Sequence, residues 1–192
     1  MATPTLRSTD RILTTHVGSL IRPDDLVTAL KARRAGTDGQ PAGQPDDQPD
    51  IDDGAFDLLL SRSVDEIVRQ QAEHGIDLVS DGEFGKTISW SRYVLERLAG
   101  FEDRPDLTEG ASDPKRPLGP RTDVERFPEF YAEYDKTQGF EDVMRNPVCV
   151  GPISYAGHEP LRRDIANVIT ARDAARDAGH EVEAFLPVVA PA

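Results

Sequence analysis

Cysteine is nearly absent from this chain. Cys149 stands alone, so no intramolecular disulfide can form and no zinc site with two thiolates can be built from these residues. Long apolar runs are missing too. None approaches the roughly 20 residues needed to cross a bilayer, and the opening MATPTLRSTDR has no apolar segment of the kind a secretory signal needs. Basic residues are scarce: 22 Lys and Arg face 35 Asp and Glu, for a net charge of −13. That sign is wrong for a surface that grips nucleic-acid phosphates. These shortages lead us to expect a soluble, cytoplasmic protein with no nucleic-acid or membrane partner. What remains is ordinary for a globular domain, with 38% hydrophobic and 30% charged residues in 192 positions, enough for one domain with a real core.

The most legible stretch is GIDLVSDGEFGK, Gly75–Lys86. The apolar run Ile76–Ser80 stops at an acidic turn, Asp81-Gly82-Glu83. A strand of a parallel sheet delivers carboxylates to an active-site rim in this way. Before it, Phe56, Leu59, Leu60, Val64, Ile67, Val68 and Ala72 recur at steps of three and four. They predict one apolar stripe on a helix over Gly54–His74. Gly75 suits the left-handed residue that ends a helix. Helix, glycine, short strand and acidic loop make one step of a repeating α/β fold.

A second stretch, ILTTHVGSL (Ile12–Leu20), leads strand-formers into the turn Val17-Gly18-Ser19, and Arg22-Pro23 follow. Such a turn exposes backbone N–H groups and a hydroxyl, which suit a carboxylate or phosphate. The two stretches together resemble the catalytic barrel of the cobalamin-independent methionine synthase family. VCVGPISY (Val148–Tyr155) and FLPVVAPA (Phe185–Ala192) fit the same pattern in the same order. The likeness spans the chain apart from Gly36–Asp53 and about Glu102–Arg126.

The resemblance implies an α/β fold, a partial (β/α)8 TIM-type barrel. About three barrel strands and a hairpin excursion are expected over residues 1–192, read as one incomplete domain. Strands are placed at Leu13–Val17, Ile76–Ser80 and Glu183–Val189. Helices are placed from Pro23 to about Arg34, over Gly54–His74, Thr87–Leu98 and Leu161–Ala178, with a short one in Phe127–Phe140. Leu161, Ile165, Val168, Ile169 and Ala175 are the expected buried stripe of the Leu161–Ala178 helix. Gly36–Asp53, almost all Gly, Pro, Gln and Asp, cannot bury enough apolar surface to offset its ordering and is expected to be a mobile surface insertion. Residues 102–126 read as a loop excursion.

By the same resemblance Glu83 matches the carboxylate that grips the amino group of homocysteine, through a charge-assisted hydrogen bond. Val17, Gly18 and Ser19 match the turn that binds the substrate's amino-acid portion. His16, Asp81 and Trp90 are candidate lining residues, each with a plainer alternative. His16 fits a hydrogen-bonded core histidine, Asp81 a turn that orients backbone N–H groups, and Trp90, with Tyr93, simple packing. Cys149 reads as a buried, inert thiol. His74, His158 and His180 carry no assigned chemistry.

In the family a zinc-bound thiolate attacks the methyl group on N5 of a methyl-folate, and the zinc is held by a His-x-Cys pair, a Glu and a further Cys. No His-x-Cys occurs here, so zinc ligands and most methyl-folate contacts are expected in a second half of the barrel, outside this chain. No catalytic or metal-ligating residue is assigned to this half. The implied partners are a small-molecule thiol, a methyl donor and that C-terminal half.

THVGSLIRP and the residues after Glu83 depart from the synthase pattern. This leaves open a thiol alkyltransferase of the same superfamily with another donor. A zinc-free barrel similar to uroporphyrinogen decarboxylase would want arginines rather than DGE at the strand end. A third class is a non-catalytic half-barrel that acts only by pairing its open sheet edge with another chain.

Overall fold

A computed structural model describes residues 6–38, 52–86, 90–103, 122–138 and 147–188. The elements run α1 (Asp24–Asp38), α2 (Asp53–Glu73), β1 (Leu78–Ser80), α3 (Trp90–Leu95), β2 (Leu98–Asp103), α4 (Thr122–Arg126), α5 (Pro128–Gln138), β3 (Pro147–Tyr155), α6 (His158–Asp177) and β4 (Glu183–Phe185). The chain divides into two compact units, residues 1–87 with 159–192, and residues 88–158.

In the first unit β1 and β4 run parallel, with Leu78 opposite Glu183 and Ser80 opposite Phe185. Thr15 forms a parallel bridge to Leu78, so β1 has neighbours on both sides. The extended stretch around Thr15 makes this one bridge rather than the strand expected over Leu13–Val17. It is held instead by side chains. Asp77 accepts from the Thr14 N–H at 2.7 Å and from the Thr14 hydroxyl at 3.0 Å, and pairs with Arg11. β4 ends at Phe185, shorter than the expected Glu183–Val189, whose last residue lies outside the described ones.

Helix α2 forms where its apolar period places it. Asp52 caps it, accepting from the Ala55 N–H, and Gly75 follows its end at φ +79°. Phe56, Leu60, Val64, Val68 and Ala72 are buried, and Leu59 and Ile67 pack at their margin. Leu26 and Ala29 of α1, Val79 of β1, Phe84, Ala171 and Ala175 of α6, and Val182 complete this core. Fully burying an aliphatic side chain contributes about 1.5–3 kcal/mol, so the stripe of α2 alone is a main source of this unit's stability.

Two polar residues, Ser63 and Gln71, are buried with that stripe, and Ser63 donates its hydroxyl to the Leu59 carbonyl of its own helix. Gln71 Nε2 donates to the Ser80 carbonyl at 2.8 Å, and the Ser80 N–H donates back to Gln71 Oε1 at 3.0 Å. The side-chain amide thus serves the last residue of β1 as a neighbouring strand would.

Helix α1 continues to Asp38 rather than ending near Arg34, so Gly36–Asp38 belong to it, and Asp52 and Asp53 start α2. The rest of the Gly36–Asp53 stretch lies outside the described residues. In α6 the buried face is Asp164, Val168, Ala171 and Ala175, while Ile165 and Ile169 are 39% and 40% exposed. Val168 and Ala175 of the expected stripe are buried, whereas the larger Ile165 and Ile169 give way to Asp164 and the small Ala171.

In the second unit β2 and β3 form an antiparallel pair, with Leu98 opposite Tyr155 and Asp103 opposite Pro147, and a register shift between Ala99 and Phe101. Leu98 opens this strand instead of ending a helix; α3 covers Trp90–Leu95, and residues 87–89 of the expected helix lie outside the described ones. The expected excursion over 102–126 holds structure at both ends, the end of β2 and the helix α4; residues 104–121 are outside the described set. Cys149 is exposed rather than buried, its Sγ 3.3 Å from the Gly151 carbonyl. The strand looked apolar enough for a core, but a two-stranded ribbon cannot cover both faces.

Among the described residues no helix is long and apolar enough to cross a membrane.

Candidate functional site

Two turns meet where the Thr15 segment and β1 end. After Thr15 the chain turns through Val17, Gly18 (φ +104°) and Ser19. After Ser80 it turns through Asp81, Gly82 and Glu83, with Gly82 at φ +64° and Glu83 at φ +61°. A glutamate is rarely left-handed, and holding it there costs free energy that the surroundings must supply.

The surroundings are visible. The Asp81 carboxylate accepts from the Glu83 N–H at 3.0 Å, and the Phe84 N–H donates to the Asp81 carbonyl at 3.2 Å. Phe84, 1% exposed, drives the turn into the core. The Leu20 N–H donates to the Gly82 carbonyl at 3.1 Å. Arg22 Nη2 donates to the carbonyls of Glu83 at 2.7 Å and Lys86 at 3.2 Å. Gly82 needs its positive φ, and a side chain there or at Gly85 would force a neighbour to shift. A Cβ on Gly82 would stand 2.9 Å from Phe84 Cε1, and one on Gly85 would stand 2.8 Å from Asp164 Oδ1 of α6.

At the junction the Ser19 hydroxyl donates to Glu83 Oε2 at 2.6 Å. Lys86 Nζ lies 3.2 Å from Glu83 Oε1 and also donates to the Pro187 carbonyl, just past β4. Burial pushes the Glu83 carboxyl up, but the Ser19 hydrogen bond, the Lys86 charge and bond, and Arg22 together hold it below the ordinary glutamate value. It is a carboxylate at neutral pH. Asp81 differs: burial pushes its carboxyl up, against the Glu83 N–H and the Lys86 charge.

The sequence-derived candidates therefore divide. Gly18, Ser19, Glu83 and Asp81 share one cluster. Asp81 touches the Glu83 backbone within it. Val17 is 72% exposed. His16 is half-buried, and among the described residues its Nε2 is buried without a hydrogen-bond partner. Trp90 heads α3 in the other unit, and its side chain lies outside the described residues. Tyr93 stacks under the Arg97 guanidinium, 4.3 Å from the ring centroid.

Sequence reasoning passed over Arg22, Phe84 and Lys86. Phe84 carried a signal, being a large apolar residue inside a polar turn. Arg22 and Lys86 were given no site role, because spacing does not report which carbonyl or carboxylate a cation reaches.

Among the described residues no three His, Cys, Asp or Glu side chains converge as metal ligands, so these residues do not fit a zinc centre. A cavity of about 530 Å³ lies elsewhere in the first unit, lined by Arg33, Asp53, Asp57, Glu159, Arg162 and Arg163 among others. Its arginines pair with its own acids, and it shares no residue with the Ser19–Glu83 cluster.

Compared with known proteins, the chain matches no family model and no curated protein.

Proposed function

We propose that this chain is the substrate-gripping part of a cytoplasmic thiol methyltransferase, related to the cobalamin-independent methionine synthases and built as part of a (β/α)8 barrel. The observation that carries the reading is the Ser19–Glu83 contact at 2.6 Å. It brings a fixed carboxylate and a hydroxyl-bearing turn together at the ends of two parallel neighbours. Active sites of barrels gather at such ends.

The chemistry follows from the groups present. A carboxylate offers about four acceptor sites. Ser19 and Lys86 engage one on each oxygen, which leaves room for a ligand ammonium. The N–H groups of the Gly18–Ser19 turn suit the ligand's carboxylate. An amino-acid thiol held at both charged ends has its sulfur fixed relative to the rim. Transfer of a methyl group to that sulfur gains from such positioning, because alignment replaces lost translational freedom. Under this reading the methyl-folate and the zinc belong to parts of the barrel outside these residues, and homocysteine is the thiol.

Calorimetric titration of the chain with homocysteine tests the assignment. Saturable one-to-one binding that weakens by roughly thirtyfold in Glu83→Gln is expected. Binding that persists unchanged in that variant removes Glu83 from the site.

A further inference from the structure

We propose that Lys86 sets the selectivity of this cluster, admitting an amine only when it brings a carboxylate with it. The inference rests on reading Glu83 as the ammonium acceptor, and adds a residue with its own role.

Lys86 and Glu83 have side chains only 12% and 24% exposed, with Nζ 3.2 Å from Oε1. Glu83 therefore already holds an ammonium group on one oxygen and the Ser19 hydroxyl on the other. Lys86 is not loose. Its second bond, to the Pro187 carbonyl, ties it to the chain just beyond β4 and holds its ammonium beside Glu83.

The charges nearby balance. Glu83 and Asp81 are opposed by Lys86 and Arg22, and the neighbouring buried Asp164 carboxylate by Arg163 at 3.1 Å; Arg22 is fixed to the same turn through the Glu83 and Lys86 carbonyls. A plain amine entering beside Glu83 would leave one uncompensated positive charge next to Lys86 in a half-buried setting. Such a charge is costly there. A zwitterion adds no net charge, and its carboxylate can face Lys86 as well as the Ser19 turn. Selectivity of this kind comes from repelling the wrong ligand as much as from holding the right one. Without the lysine, the same cluster would carry one net negative charge and favour the bare amine.

The test compares homocysteine with 3-aminopropanethiol, which has the same amine and thiol but no carboxylate. Both are titrated calorimetrically into the 192-residue chain. The unaltered protein should prefer homocysteine by about tenfold or more, and Lys86→Gln should reduce that preference at least about tenfold. Lys86→Arg keeps the charge and should keep the preference, which also serves if Lys86→Gln fails to fold. If both ligands bind and the preference is the same in Lys86→Gln, or is lost in a folded Lys86→Arg, the role of Lys86 is overturned while the Glu83 reading stands. If neither ligand binds the unaltered protein, the Glu83 reading falls and takes this inference with it.

Discussion

Ser19 and Glu83 lie 64 positions apart in the chain, yet the hydroxyl of one donates to the carboxylate of the other at 2.6 Å. Their turns follow two parallel neighbours, Thr15 and Leu78. The Thr15–Leu78 bridge brings the two turns level, and the Leu20 N–H to Gly82 carbonyl bond fixes their separation. Glu83 sits at a positive φ. Strain of this kind persists where the structure around it over-determines one conformation, and it collects at functional sites.

Replacing Glu83 by Gln keeps the shape and removes the charge. Loss of one partner from a charged hydrogen bond costs about 2 kcal/mol or more. Affinity for an amino-acid thiol is expected to fall by roughly thirtyfold, read by calorimetry. The same variant weakens the Lys86 pairing, so a thermal melt should accompany it. An unchanged melt with lost binding places the effect in the site.

Acid should act on the same group. Although burial opposes it, Ser19, Lys86 and Arg22 hold the Glu83 carboxyl below its ordinary value. The charged form is thus favoured, and ammonium binding should be fully present above the usual glutamate pKa of about 4.3. It should be lost only as pH falls through the lowered value. Titrations from neutral pH down to pH ~3 would show this, whereas a loss of binding already in the neutral range would assign the control to another group.

The helix period and the glycine that ends it were legible because burial of α2 demands one apolar face and Gly75 a left-handed backbone. DGEF was legible as a strand-end turn for a similar reason: an apolar run met an acidic break. The β2 strand was not legible. Leu98–Asp103 lies on a ribbon with exposed positions, so no alternation marks it. Lys86 escaped notice because nothing in a lone lysine tells whether its ammonium reaches water or a carboxylate 3.2 Å away. Tertiary approach decides that, and sequence spacing does not report it.

Gln71 offers a test of the frame that carries the site. Its amide makes both a donor and an acceptor bond to the Ser80 backbone, in a buried setting. Gln71→Leu would leave that N–H and carbonyl without these partners. Each buried group left unsatisfied costs about 1–3 kcal/mol. A loss of roughly 2–4 kcal/mol in urea denaturation is expected, with Gln71→Glu also destabilising because a carboxylate cannot donate to the Ser80 carbonyl. A change under about 0.5 kcal/mol, the scale of a neutral surface substitution, would mean water replaces the amide.

Asp77 anchors the Thr15 segment on which Ser19 depends. The Arg11 hydrogen bond, followed by the Thr14 N–H, holds its carboxyl well below the usual aspartate range. A lowered folded-state value means that the stabilisation is fully present above the unfolded pKa of about 3.9 and fades as pH falls through the folded one. Asp77→Asn should therefore lower the melting temperature at pH 7, and the gap from the unaltered protein should narrow in strong acid. The variant should also weaken ligand binding, although Asp77 touches neither Ser19 nor Glu83 in the contacts described. The segment carrying Ser19 would lose its pairing with Arg11 and its charged acceptor at Thr14. If stability falls and binding does not, Leu20 and Arg22 suffice to hold the turn against Glu83, and the anchor matters only to the fold.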